Sequence, residues 1–132
     1  SAEENAGFTT GKPWLKVNPN YTSINVAAQE KDENSVLSFY KKLTALRKNP
    51  EYKETIVYGD VIPFERDRHN LMAYHRKADK DVLVIGNFQK EEQSVTLPSE
   101  YKKVLINNYP DMTAEGNSVT LRGYQVLVLE LA

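Results

Sequence analysis

The chain has 132 residues, with 17 basic and 18 acidic side chains, a formal net charge of −1 and no cysteine. That length suits one domain with an appendage and buries roughly two-thirds of its unfolded surface, but it falls far short of the roughly 250 residues of a (β/α)8 barrel. Near-neutrality argues against nucleic acid as the main partner, since such binding rests on neutralising phosphates; the lack of cysteine excludes a disulfide framework, a thiol nucleophile and a thiolate metal site.

Residues 1–33 show no sustained period. Gly7, Gly11, Pro13 and Pro19, with Asn5, Asn18, Asn20 and Asn25, are loop residues by backbone preference. Yet Phe8, Trp14, Leu15, Val17, Tyr21, Ile24 and Val26 make the stretch too apolar for a disordered tail. An apolar arm of this length is expected to lie against something, because long structureless connections are unusual in compact domains. It carries no signal-peptide core, and no apolar run anywhere approaches the roughly 20 residues of a membrane span, so no membrane partner is expected. Asn20-Tyr21-Thr22 matches a glycosylation sequon, a pattern common by chance. The absence of cysteine suits a cytoplasmic protein.

A single amphipathic helix is predicted next. Asp32 or Asn34 is placed to cap it. Val36, Phe39, Tyr40, Leu43 and Leu46 recur at three- and four-residue steps as a packing face, with Leu37 widening the stripe. Lys41, Lys42, Arg47 and Lys48 in its second half complement the helix dipole, and Asn49-Pro50 stops it.

From Glu54 onward the sequence reads as strands. Thr55-Ile56-Val57-Tyr58 is β-rich and ends at Gly59-Asp60. Val61 to Phe64 follows, with Pro63 suited to an edge. Further runs are Leu71 to Arg76, Val82 to Ile85, Ser94 to Leu97, Lys103 to Asn107, Ser118 to Leu121 and Tyr124 to Leu131. Short strands at 8–12-residue spacing with turn signals between them predict an antiparallel sandwich or barrel. The absence of intervening helices argues against a parallel α/β sheet.

Side-chain chemistry points to no active site. His69 lies in a turn and His75 in a strand, neither within a metal-ligand cluster. Glycoside hydrolysis needs two carboxylates flanking one bond, but the visible pairs Glu3-Glu4, Glu91-Glu92 and Glu65/Asp67 sit in polar, turn-like sequence where carboxylates are solvated. The tyrosines and Trp14 could stack on sugars, although large aromatics more often fill cores and interfaces. There is no GxSxG elbow and no phosphate-cradling glycine loop.

The run Asn5-Ala6-Gly7-Phe8-Thr9-Thr10-Gly11-Lys12-Pro13-Trp14-Leu15-Lys16-Val17-Asn18-Pro19-Asn20-Tyr21 resembles a segment of the bacterial α-glucosidases of glycoside hydrolase family 13, in particular oligo-1,6-glucosidases and dextran glucosidases. Trehalose-6-phosphate hydrolases and sucrose isomerases are similar over it. In that group the segment follows the last strand of the catalytic barrel, and Ser35 to Lys48 resembles the final barrel helix. Val57-Tyr58-Gly59-Asp60, Met72 to Arg76, Leu83 to Phe88, Leu105 to Tyr109, Leu121 to Tyr124 and Val126 to Leu131 resemble the C-terminal antiparallel β domain.

The resemblance implies a mainly β chain: an antiparallel β-sandwich with Greek-key connections, preceded by an extended arm and one amphipathic α-helix. Residues 1–50 would be the end of a catalytic barrel and 51–132 the C-terminal sandwich. No residue matches the family's catalytic carboxylates, which are expected upstream of Ser1, and no cofactor or metal is implied. Asn5 and Phe8 are expected at the rim of the substrate pocket of an intact enzyme. Val36, Phe39, Tyr40 and Leu43 are expected to form an interface, with the catalytic barrel as partner or, in its absence, with a second copy of the chain. Oligosaccharide would be met only through the larger enzyme, a retaining hydrolase of α-glucosidic, chiefly α-1,6, bonds. The competing expectation is a stand-alone carbohydrate-binding or protein-interaction β domain.

Overall fold

The structure, a computed structural model, describes residues 1–132. It divides into two compact units, Ser1–Leu43 and Thr44–Ala132.

The first unit is held by short-range polar bonds rather than by a core. A turn at Glu4–Gly7 puts Asn5 and Ala6 in the left-handed region (φ 53° and 57°), a conformation that asparagine tolerates better than alanine. Asn5 Nδ2 donates to the carbonyls of Thr9 and Gly11, at 3.1 and 3.2 Å, folding the loop back on itself. Asn18 caps a 3-10 turn at Pro19–Thr22. Asn25 caps the short helix α1 (Val26–Gln29), and its Nδ2 donates to the Tyr21 carbonyl.

Helix α2 (Val36–Lys48) begins in the first unit and ends in the second. Its cap is Ser35, not Asp32 or Asn34: Ser35 Oγ accepts from the Ser38 amide at 3.1 Å, and Gln29 Oε1 accepts from the Leu37 amide at 2.9 Å. Asp32 instead accepts from the Asn34 amide in a local turn. Asp32 and Ser35 both have oxygens that can cap, and the buried position of Ser35 against Gln29 decides between them. The helix buries none of its residues. Its predicted packing stripe leaves Val36 and Tyr40 exposed and Phe39, Leu43 and Leu46 half-buried.

The second unit departs from the sequence expectation at its start. Asn49-Pro50 does end α2, but a new helix follows at once. Asn49 Oδ1 accepts from the Glu51 amide, and Pro50 occupies the first turn of α3 (Pro50–Lys53), where its missing N–H costs nothing. The chain then continues as a π-helical turn, Glu54–Tyr58. The predicted strand Thr55–Tyr58 is therefore helical. Its β-branched residues favour a strand, but tertiary bonds from Tyr52 and Thr55 win over that weak preference.

Eight strands follow: β1 (Asp60–Phe64), β2 (Leu71–Lys77), β3 (Asp81–Asn87), β4 (Gln93–Thr96), β5 (Tyr101–Asn107), β6 (Thr113–Glu115), β7 (Ser118–Leu121) and β8 (Val126–Leu131). They form a five-stranded sheet in the order β1-β2-β3-β8-β5 and a three-stranded sheet in the order β4-β7-β6. All neighbouring pairs are antiparallel. The chain crosses between sheets after β3, β4, β5 and β7, so the last strand lies between β3 and β5. Pro63 sits on edge strand β1, where no second ladder needs its absent N–H. Strand β6 escaped the sequence reading: it is three residues long and fully exposed, so it carries no alternation.

The core lies between the sheets. Leu71, Leu83, Ile85, Leu127, Leu129 and Leu131 from the large sheet meet Val95, Val119 and Leu121 from the small one, and Leu97 completes the cluster. Each fully buried side chain of this size stabilises by roughly 1.5–3 kcal/mol relative to exposure. The buried Asn87 and Gln125 are tied to loop backbone and to each other's neighbourhood: Asn87 Nδ2 donates to the Glu91 and Arg122 carbonyls, and Gln125 Nε2 donates to Asn107 Oδ1. No buried side-chain polar atom lacks a partner.

Candidate functional site

Two places stand out, one in each unit. In the first unit a concave surface of about 870 Å³ is lined by Phe8, Trp14, Leu15, Tyr21, Ile24 and Val26 among others. Phe8 is 84% and Trp14 91% exposed. Phe8 and Trp14 are presented from loops, and Tyr21 from the 3-10 turn Pro19–Thr22. The lining holds Lys12 and Lys16 but no carboxylate. A surface of this kind cannot supply the paired acids of glycoside hydrolysis; it is an open, mainly apolar concavity. Phe8 lies on this concavity, whereas Asn5 is half-buried and committed to the Thr9 and Gly11 carbonyls.

In the second unit a buried acid, Glu130, is the penultimate residue of the otherwise apolar strand β8. Its Oε2 accepts from the Tyr52 hydroxyl at 2.7 Å, and its Oε1 meets Lys80 Nζ at 3.0 Å. Lys80 also reaches Glu51, at 3.5 Å. The Tyr52 hydroxyl and then the Lys80 ammonium hold the Glu130 carboxyl below the usual range. Burial, followed by the Glu130 carboxylate, pushes the Tyr52 phenol upward. The bond to Glu130 likewise raises Lys80. Lys80 and Lys103 lie 5.3 and 5.9 Å from the Tyr52 ring centroid, within cation–π range. A catalytic proton donor needs a raised carboxyl pKa. Glu130 has the opposite setting and both its oxygens are occupied, which is the chemistry of a structural ion pair. Sequence reasoning missed Glu130 and Tyr52; the available signal was an acid inside the otherwise apolar run 126–131.

The pairs weighed from the sequence are not brought together. Glu3, Glu4, Glu91, Glu92 and Asp67 are exposed, and Glu65 sits half-buried in a turn at φ 53°. His69 is exposed; His75 Nδ1 lies 2.6 Å from Asp81 Oδ1, with Lys77 on the other oxygen of Asp81 at 3.2 Å. No group of three or more His, Asp or Glu side chains converges as a metal site. Val36 and Tyr40 are 69% and 63% exposed on α2, beside half-buried Phe39 and Leu43.

Residues 1–59 match the α-amylase catalytic domain, and residues 71–128 match the C-terminal domain of the α-amylase SusG. The chain is 40% identical to an oligo-1,6-glucosidase of Bacillus cereus over 98% of its own length, and 39% identical to a trehalose-6-phosphate hydrolase of Bacillus subtilis, also over 98%. The chain belongs to the α-amylase family. Among solved members of the family, the trehalose-6-phosphate hydrolase of Bacillus licheniformis superposes with a TM-score of 0.83 at 39% identity, over 99% of this chain. The chain spans 24% of the length of each of these three relatives. The family match covers both the arm with its helix and the β-sandwich, in the same order along the chain.

Proposed function

We propose that this chain is the non-catalytic C-terminal part of an α-glucosidase that hydrolyses α-glucosidic, chiefly α-1,6, bonds in short oligosaccharides. Residues 1–50 complete the catalytic barrel, and residues 51–132 are the sandwich that supports it. The observation that carries this reading is that one chain matches the α-amylase catalytic domain over residues 1–59 and then a C-terminal domain over residues 71–128. The exposed aromatic concavity of residues 1–43 supports it, since burying such side chains is worth roughly 1.5–3 kcal/mol each. Val36, Phe39, Tyr40 and Leu43 form the contact with the barrel, or with a second copy when the barrel is missing. Asn5 and Phe8 lie at the pocket rim of the intact enzyme. The chemistry there is that of a retaining glycosidase, in which one carboxylate attacks the anomeric carbon and a second carboxylic acid protonates the leaving oxygen. The intact enzyme works in the cytoplasm.

Incubation of the chain with 4-nitrophenyl α-glucoside tests this: no release of nitrophenol is expected, and turnover that survives repurification refutes the non-catalytic role. Adding the chain to a separately produced barrel segment of such a glucosidase is expected to raise its thermal stability and activity. A chain that leaves the barrel unaffected, yet shifts its own Trp14 emission on titration with isomaltose, would favour a carbohydrate-binding module instead.

A further inference from the structure

The segment Pro50–Tyr58 falls inside the stretch matched to the catalytic domain, yet its side-chain bonds run to the β unit. Tyr52, fully buried, donates to Glu130 on β8. Thr55, also fully buried, donates to Asp79 Oδ1 at 2.6 Å and accepts from the Lys80 amide at 3.3 Å, both in the β2–β3 turn. Arg76 on β2 donates through Nε to the Ile56 carbonyl and through Nη2 to the Val57 carbonyl, each at 3.1 Å. Those two carbonyls belong to the last turn of a helix, where no intrahelical donor remains and a cation is favoured. Gly59 then closes the segment: a Cβ there would run into the Thr55 and Lys77 carbonyls.

From these bonds we infer that Pro50–Tyr58 is an interlock, fastened at Glu130, Asp79 and Arg76, that opens and closes with the β unit and not with residues 1–43. The cooperative boundary of the chain then falls within helix α2 and not at the helix–strand junction near Gly59. Fastening needs three separated strands or turns to be in place at once, so the segment forms only on the completed large sheet. Such cooperative units commonly coincide with elements that share a packed and hydrogen-bonded seam. Glu130 ties α3 to the sheet: on β8 it accepts from Tyr52 of the helix and from Lys80 of the β2–β3 turn.

Hydrogen exchange read by mass spectrometry on the full chain tests this. Peptides covering 50–58 are expected to exchange as slowly as those covering β3 and β8, with residues 1–43 exchanging faster. Because the segment and the sheet open together, Tyr52→Phe is expected to speed exchange of 50–58 and of 82–85 alike, on the order of tenfold, and to leave residues 1–43 unchanged. Thr55→Val, at the opposite end of the seam, is expected to speed the same two peptides together with Tyr52 intact. Exchange of 50–58 at the rate of residues 1–43 in the unaltered chain overturns the inference. So does a Tyr52→Phe or Thr55→Val chain in which 50–58 accelerates while 82–85 does not.

Discussion

Replacing Leu129 by alanine tests where the stability of this chain resides. Leu129 is fully buried on β8, opposite Leu83 on β3 and Val104 on β5, in the strand that holds the large sheet together. Truncation removes its transfer free energy and leaves a cavity that a close-packed interior only partly collapses, together about 2–5 kcal/mol. For a folding unit of 60–100 residues each kcal/mol lowers Tm by about 4–8 °C, so a fall on the order of 10–40 °C is expected. Val36→Ala on α2 makes the contrast: that side chain is already mostly in water, and its loss is expected to cost less than about 0.5 kcal/mol. Urea titration followed by far-UV circular dichroism gives both values, with an unchanged m-value showing that the same transition is compared. A Leu129→Ala cost below about 1 kcal/mol, or a Val36→Ala cost equal to it, would refute the placement of the stabilising core between the two sheets.

Gly123→Ala is expected to destabilise by about 1–3 kcal/mol through steric overlap, because a Cβ there would meet the Lys90 carbonyl; equilibrium unfolding of the variant measures it, and an unchanged midpoint would refute the overlap. Stability should depend on pH through the Glu130 cluster. Glu130 is depressed by Tyr52, Lys80 and, more remotely, Lys102, so its contribution is complete above the ordinary glutamate value of about 4.3 and is lost as the pH falls through its lower folded value. Tyr52 and Lys80 are raised, so theirs is complete below the ordinary values of about 10 and 10.4 and is lost as the pH rises through the folded ones. Glu130→Gln should flatten the acid limb of a Tm-versus-pH curve; an acid limb unchanged in that variant would exclude Glu130 as its source. Trp14, 91% exposed, should emit as a solvated indole and be readily quenched by acrylamide, and a blue shift with loss of quenching is expected when a covering partner binds.

Much of the sandwich was legible because period-2 alternation and turn residues leave a local trace. Val95 and Leu97 alternate with Ser94 and Thr96, and the structure buries the first pair and exposes Ser94 and Thr96. Pro63 marked its own strand as an edge. The Thr55–Tyr58 stretch shows the limit of local preference: its β-branched residues form a helical turn because Asn49-Pro50 restarts a helix, and Glu130, Asp79 and Arg76 hold it there. The α2 stripe was equally visible, but periodicity records which face is apolar and not what covers it.

The sequence by itself determined the strand-rich class, the single long helix and the motif order that places the chain in its family, since all three depend on neighbours a few residues apart. Only the tertiary structure decided that β8 lies between β3 and β5, that Ser35 rather than Asp32 caps α2, and that Glu130 is a neutralised structural acid. The first and last depend on groups tens of residues away, whose approach is set by sheet register and by the requirement that every buried polar atom find a partner, and the cap depends on Gln29, six residues back, folding against Ser35.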